Sequence, residues 1–296
     1  MNYNKETLYF GTTTPLDGET FSKDKINPFG INNEGSGVCF TTSPQEAYEV
    51  YATPPYSDDA LPSDLTLNEA YKSEWYNKTF AINENNGGGY DNLTKLREDF
   101  VATAAPTIYQ CTAEIYNPFV VSAEQPITSS IEFDGSDFYS EDMTKQLLQK
   151  YYPDKSPIDI GKYEHSLALL MFKSLKDKNS DITMTDCKED AHTILQNFSK
   201  MIKRKPAKAN TLEFYNRISS ELADRGIKGK HNEVIGYSHD SIVIENVGEM
   251  YANARYGNNK HVMVFDVNKI HFKVSNTQNI DTPTPPKRKK SRKIWN

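Results

Sequence analysis

Three helical periodicities sit in the middle of this chain, between two stretches whose apolar residues are spaced for strands, and that order most limits what it can fold into. Residues 140–152, 163–176 and 186–204 each place apolar side chains at helical intervals. The third is the clearest. Asp186 and Glu189 read as a capping box, and Ala191, Ile194, Leu195, Phe198, Met201 and Ile202 follow one stripe before basic residues close the helix. Strand signals come before this block at 8–10 (LYF), 37–41 (GVCFT) and 107–115 (TIYQCTAEI), with FVV resuming after Asn117–Pro118. They return after it at 241–247 (SIVIENV) and 261–267 (HVMVFDV), which HFKV at 271–274 extends. The expected class is α+β, with strands drawn from both ends of the chain and 126–205 as a helical insertion. A further helix runs from Leu212 to about Asp224 and stops at Gly226.

Between these elements the pattern weakens. Residues 15–36 read as loop, and 53–107 offer only a helix near Leu67–Trp75. After Thr41, the Ser43–Pro44–Glu46 sequence supplies an N-cap, a proline at the first helical position and a capping-box acid, so a helix starts there. Ala47, Tyr48 and Tyr51 lie on one of its faces.

Charge and composition exclude several function classes. The net charge is −6, yet Lys287, Arg288, Lys289, Lys290, Arg292 and Lys293 supply six positive charges at the end, leaving −12 on the rest. An acidic body with a basic tail does not read nucleic-acid sequence through its folded part. The tail has three readings: non-specific neutralisation of phosphates, a nuclear-import address, or a solubilising end. Residues 276–296 are expected to be a flexible basic tail. Cys39, Cys111 and Cys187 are an odd number and far apart, which suggests neither a disulfide framework nor a metal site. No apolar run spans a bilayer and no secretory signal is visible, so the expectation is a cytoplasmic or virion-interior protein with no membrane partner. His239 with Asp240 suggests acid–base or metal chemistry, but no other histidine has ligand spacing to it, and no metal is assigned. NNGGGYD at 85–91 lacks the lysine of a phosphate loop.

Five segments in order resemble the ADP-ribosyltransferase superfamily, in the branch with a His-Tyr-Glu signature shared by diphtheria-type toxins, poly(ADP-ribose) polymerases and many phage and mobile-element proteins. They are LYFGT (8–12), GVCFTTSPQEAYEVYA (37–52), YQCTAEIYNPFVV (109–121), GYSHDSIVIENV (236–247) and HVMVFDVNKI (261–270). The resemblance implies a split mixed or antiparallel sheet core formed by 1–125 and 206–275, with NAD as substrate and mono-ADP-ribosyl transfer as the reaction. It also places the site. Phe10 stands where the family has its ribose-holding His, Gly11 keeps the backbone contact to the nicotinamide amide, and Thr12 follows as expected. Cys39 replaces the pocket Tyr beside Phe40, Tyr48 or Tyr51 would cap the nicotinamide, and His261 replaces the Glu. Glu249, in the loop before the last strand, is the replacement acid nearest in sequence.

All three signature side chains are substituted, so the resemblance implies either a transferase or a degenerate, weakly active or inactive descendant. The competing class is a phage virion component or ejected cargo protein that reuses the fold, with host or virion proteins as partners and the tail touching nucleic acid. The bland alternative for Phe10, Phe40, Tyr48 and Tyr51 is ring packing. For His261 it is a half-buried strand histidine, and for Glu249 a solvated loop.

Overall fold

The computed structural model describes residues 3–12, 37–48, 107–132, 138–176, 181–245 and 259–273. The expected helix near Leu67–Trp75, the residues Tyr51 and Glu249, and the basic tail lie outside them. Among the described residues the chain mixes helix and strand around a sheet of seven strands with both parallel and antiparallel pairs.

The sheet takes its strands from both ends of the chain, as the order of signals requires. Its members are β1 (Leu8–Thr12), β2 (Val38–Thr41), β3 (Thr107–Ala113), β4 (Pro118–Val121), β7 (Ser241–Ile244), β8 (His261–Val264) and β9 (Ile270–Phe272). They lie side by side in the order β4–β7–β8–β2–β1–β3–β9, with only β4 and β7 parallel. β5 (Ile127–Thr128) and β6 (Ile158–Asp159) form a separate parallel pair. One expectation changes here: HFKV does not prolong the strand before it. A 3-10 turn at Val267–Lys269 carries the chain away from β8, and Ile270–Phe272 pairs with β3 at the far edge. Asp266 caps that turn by accepting the backbone N–H of Asn268, a local break that the apolar run across 261–274 conceals.

Alternation along the strands gives the sheet two unlike faces. Leu8, Phe10, Val38, Phe40, Cys111, Val243, Val262 and Val264 pack together on one. On the other, Phe119, Val121, Ile242, Ile244, Cys39 and Met263 meet the helices. Gly37 permits the close approach of β2 to β8, because a Cβ there would lie 2.4 Å from Met263 Cγ.

Among the described residues, five helices follow the single helical turn α1 (Pro44–Glu46): α2 (Glu141–Tyr151), α3 (Glu164–Lys176), α4 (Met184–Arg204), α5 (Thr211–Asp224) and α6 (His231–Gly236). Of the stripe expected on α4, Ala191, Ile194, Leu195, Phe198 and Ile202 are buried, joined by Cys187, while Met201 is half-buried. The cap of α4 lies one turn earlier than the Asp186–Glu189 pair. Thr183 is the N-cap and Asp186 the acid that reaches back to it. Threonine completes the reciprocal pair as well as serine does, and a polar stretch rich in Thr and Asp leaves the register open. α5 ends where Gly226 adopts φ 75°, a left-handed conformation that favours glycine.

The two ends of the 126–205 segment meet, through an antiparallel bridge between Pro126 and Asn210 and an Ile127 N–H to Ala209 carbonyl bond of 2.9 Å. Its helices share one continuous core with the sheet, Leu167, Met171, Leu195 and Phe198 packing with Phe119, Phe214 and Ile242. Tyr163 stacks on Phe214 with ring centroids 5.6 Å apart. Truncating a buried ring such as Phe214 would cost roughly 3–5 kcal/mol.

Candidate functional site

The strands that carry the resemblance are neighbours. β1 pairs with β2 through Tyr9 opposite Thr41, and β2 pairs with β8 through Cys39 opposite Met263 and Thr41 opposite His261. Directly opposed residues in an antiparallel pair point to the same side. Tyr9, Cys39, Thr41 and His261 therefore share the face covered by helices. Phe10 and Phe40 point to the other face, fully buried against each other at 5.9 Å between ring centroids. The structure thus brings Cys39 together with His261 and Phe10 together with Phe40, but it does not gather Phe10, Cys39 and His261 into one cleft. Gly11 is buried in β1 opposite Ile108, and Thr12 ends that strand opposite Thr107. Tyr48 lies just past α1 and is half-buried.

His261 does not stand alone. Its Nε2 lies 2.6 Å from Glu46 Oε1, and the other carboxylate oxygen accepts the Thr41 hydroxyl. Thr41 Oγ1 in turn accepts the backbone N–H of Ser43. All three side chains are buried, Thr41 at 0%, Glu46 at 1% and His261 at 8% exposure.

The local sequence explains how the acid arrives there. Ser43 caps α1 by accepting the Glu46 N–H, and Pro44 starts the turn, so the Glu46 side chain is carried back over the end of β2. The capping role expected of the Glu46 carboxylate is not the one it plays, because its oxygens are spent on Thr41 and His261. Both partners are invisible locally: Glu46 and His261 are 215 positions apart. The signal that would have found the acid is the unusual demand of a histidine at a buried strand position, which needs a polar partner.

Chemically, the arrangement is a carboxylate clamped between a hydroxyl and an imidazole. The threonine bonds the acid and not the imidazole, so the order is unlike that of a nucleophile activated by a histidine. The pair can hold a proton on Nε2 and fix the ring.

A second polar cluster lies at the opposite end of β7, around His239 and its sequence neighbour Asp240. The two side chains do different work. Asp240 accepts the backbone N–H groups of Tyr116 and Asn117 at 2.7 and 2.9 Å and the Ser241 hydroxyl at 2.8 Å. Burial alone would raise its carboxyl, but those donors outweigh it and hold the group below the usual range. His239 Nδ1 lies 3.1 Å from the Asn117 carbonyl, which can only accept, so Nδ1 carries the hydrogen. Nε2 faces the Tyr163 hydroxyl at 2.8 Å and Lys162 Nζ at 3.1 Å. Burial first, then the Lys162 charge, push His239 down to about 4, so the ring is neutral near pH 7.

Among the described residues, no three His, Cys, Asp or Glu side chains gather as a metal site, and no helix is long and apolar enough to cross a membrane. Cys39, Cys111 and Cys187 are buried and form no disulfide with one another. No protein-family model, curated protein or solved structure matches this chain.

Proposed function

We propose that this chain is a degenerate ADP-ribosyltransferase-like protein, a scaffold that takes NAD or a protein partner with weak or no turnover. One observation supports the degenerate reading most. The residue at the position of the family's glutamate is an imidazole sealed against Glu46. A glutamate there would bond a ribose hydroxyl and stabilise an oxocarbenium-like centre; an imidazole with its proton directed at Glu46 does neither. The adjacency of β1, β2 and β8 supports the family reading itself, since the motifs on them would have to converge. The alternative, a virion component or ejected cargo protein that reuses such a scaffold for assembly, draws on the same burial, which makes the pair a staple between β8 and the turn after β2.

Labelled NAD with the pure protein, alone and in host lysate, tests the proposal. The expected result is measurable NAD binding by calorimetry with little glycohydrolysis or transfer. Robust transfer by the unmodified protein, abolished by His261→Ala, would overturn the degenerate reading. Absence of any NAD binding would favour the assembly role. The triple change Phe10→His, Cys39→Tyr, His261→Glu is expected to stay inactive. Its first position faces away from the other two, and the introduced carboxylate would meet that of Glu46.

A further inference from the structure

Independently of that reading, one stretch of the folded chain runs against the charge of the whole. No acid occurs from Ala191 to Leu212, while Lys200, Lys203, Arg204, Lys205 and Lys208 all fall there, in a chain of net charge −6. Lys203 and Arg204 close the last turn of α4, where cations answer the helix dipole, and Arg204 also lies over the Phe138 ring, 4.8 Å from its centroid. Lys205 and Lys208 bracket the 3-10 turn that follows, Pro206–Lys208, and no such account covers them. The fold brings more to this turn. The Tyr152 hydroxyl donates to the Ala207 carbonyl at 2.8 Å and accepts the Asn210 amide at 3.3 Å, which ties the end of α2, with Lys150 and Tyr151, to it. Lys150, Lys205 and Lys208 are exposed, and none of the three has an acid partner among the described residues. Tyr151 beside them is 48% exposed. A chain with 40 acids could have paired these lysines, and it leaves them open.

We propose that the end of α2 and the Pro206 turn form a docking surface for single-stranded nucleic acid, held through its phosphates and by stacking on Tyr151, without reading its sequence. The ammonium groups of Lys150, Lys205 and Lys208 act as point charges toward phosphates, and each contact releases a condensed counterion. The exposed Tyr151 ring offers a face to an unpaired base, which a duplex keeps inside its own stack. That feature favours a single strand over a duplex. An anionic bilayer is the poorer match. Glu141 and Asp142 stand at the start of α2, about 12–14 Å from Lys150 by helix rise, and a broad charged surface would meet them together with the cations. A single strand is narrow enough to follow the turn and leave those acids in water.

Binding of a fluorescent oligothymidylate to the full chain, titrated across salt concentrations, tests this. Every variant keeps the six tail charges, so differences in slope report the folded surface alone. In Lys150→Gln/Lys205→Gln/Lys208→Gln, the slope of log affinity against log salt should flatten by about 2, at about 0.7 per cation removed. The same charge change at Lys188→Gln/Lys228→Gln/Lys230→Gln, toward the far ends of α4 and α5 from the turn, should flatten it by less than one cation's share. Tyr151→Ala should weaken the single strand about fivefold, the loss of one base stack, and leave binding of a duplex unchanged. A first triple variant with the parent's slope would overturn the proposal, as would equal flattening by both triple variants. So would a defect that shows on phosphatidylserine vesicles and not on the oligonucleotide, which would assign the surface to a membrane. Should the first triple variant misfold by circular dichroism, Tyr151→Ala decides the matter: no loss on the single strand, or an equal loss on the duplex, rules the proposal out.

Discussion

Two buried histidines stand at opposite ends of β7, both on the helix-covered side of the sheet, and their partners differ in kind. His261 meets the carboxylate of Glu46, which offers counter-charge to a protonated ring. His239 meets a hydroxyl and an amine, which offer none, and burial with the Lys162 charge pushes it down to about 4. His231 sharpens the contrast. It packs edge-on against Tyr215, its Nδ1 is buried without a hydrogen-bond partner, and burial lowers it to about 4 as well. The same residue type thus bonds a buried carboxylate in one place and serves as a neutral polar filler in two others. Depth does not separate these cases, since all three are 9% exposed or less. What separates them is whether an acid reaches the ring.

The largest expected effect follows from the two neutral histidines. In the folded chain they take up protons only near pH 4, whereas unfolded they do so near the ordinary 6.5. The unfolded state therefore binds more protons between those values. Stability is full above about 6.5 and falls as pH drops toward 4, by about 1.4 kcal/mol per pH unit for each group. Urea unfolding from pH 7.5 to 4.5 should show the midpoint moving down by an amount worth several kcal/mol. His231→Leu should remove about half of that slope. A flat profile would break the contrast between neutral and paired histidines.

A smaller effect probes the other side of the comparison. Glu46→Ala leaves His261 and the Thr41 hydroxyl buried without their acceptor and should cost about 3 kcal/mol in urea unfolding. Replacing both members, Glu46→Leu with His261→Leu, should cost clearly less than the two single changes added together, because the apolar pair leaves no stranded charge. Additive losses would mean that the pair is not coupled.

Lys162→Met should be the mildest, within about 0.5 kcal/mol of the parent, since Tyr163 keeps the His239 lone pair. A large loss would make Lys162 a structural member of its cluster, as Glu46 is of the other.

The elements were largely legible in the sequence, and the reasons are local. The α4 stripe from Ala191 to Ile202 is a 3.6-residue period, and 107–113 alternates at a period of two. Two places are not legible locally: at Thr183 and Asp186 the cap signal has two equally good registers, and at Ile270–Phe272 a tertiary contact redirects the chain to β3. The site was legible only in part. His261 stood out as a candidate, but its partner Glu46 read as a helix cap, and Lys162 and Tyr163 carried no motif. Phe10 matched a motif position, yet its side chain lies on the wrong side of the sheet to join His261.

By itself the sequence determined which segments become strands and helices, where α1 and α5 begin or end, and that two terminal regions must supply one sheet around a helical block. Those outcomes depend on steric and periodic preferences that act within a few residues. Only the tertiary structure decided which residues share a face and which acid answers which histidine. The Glu46–His261 contact spans 215 positions and the Tyr163–His239 contact 76. Such pairs form because burial leaves a polar group no water to bond. The demand for a partner can be read from a single residue, while the partner's identity depends on how the strands and helices pack.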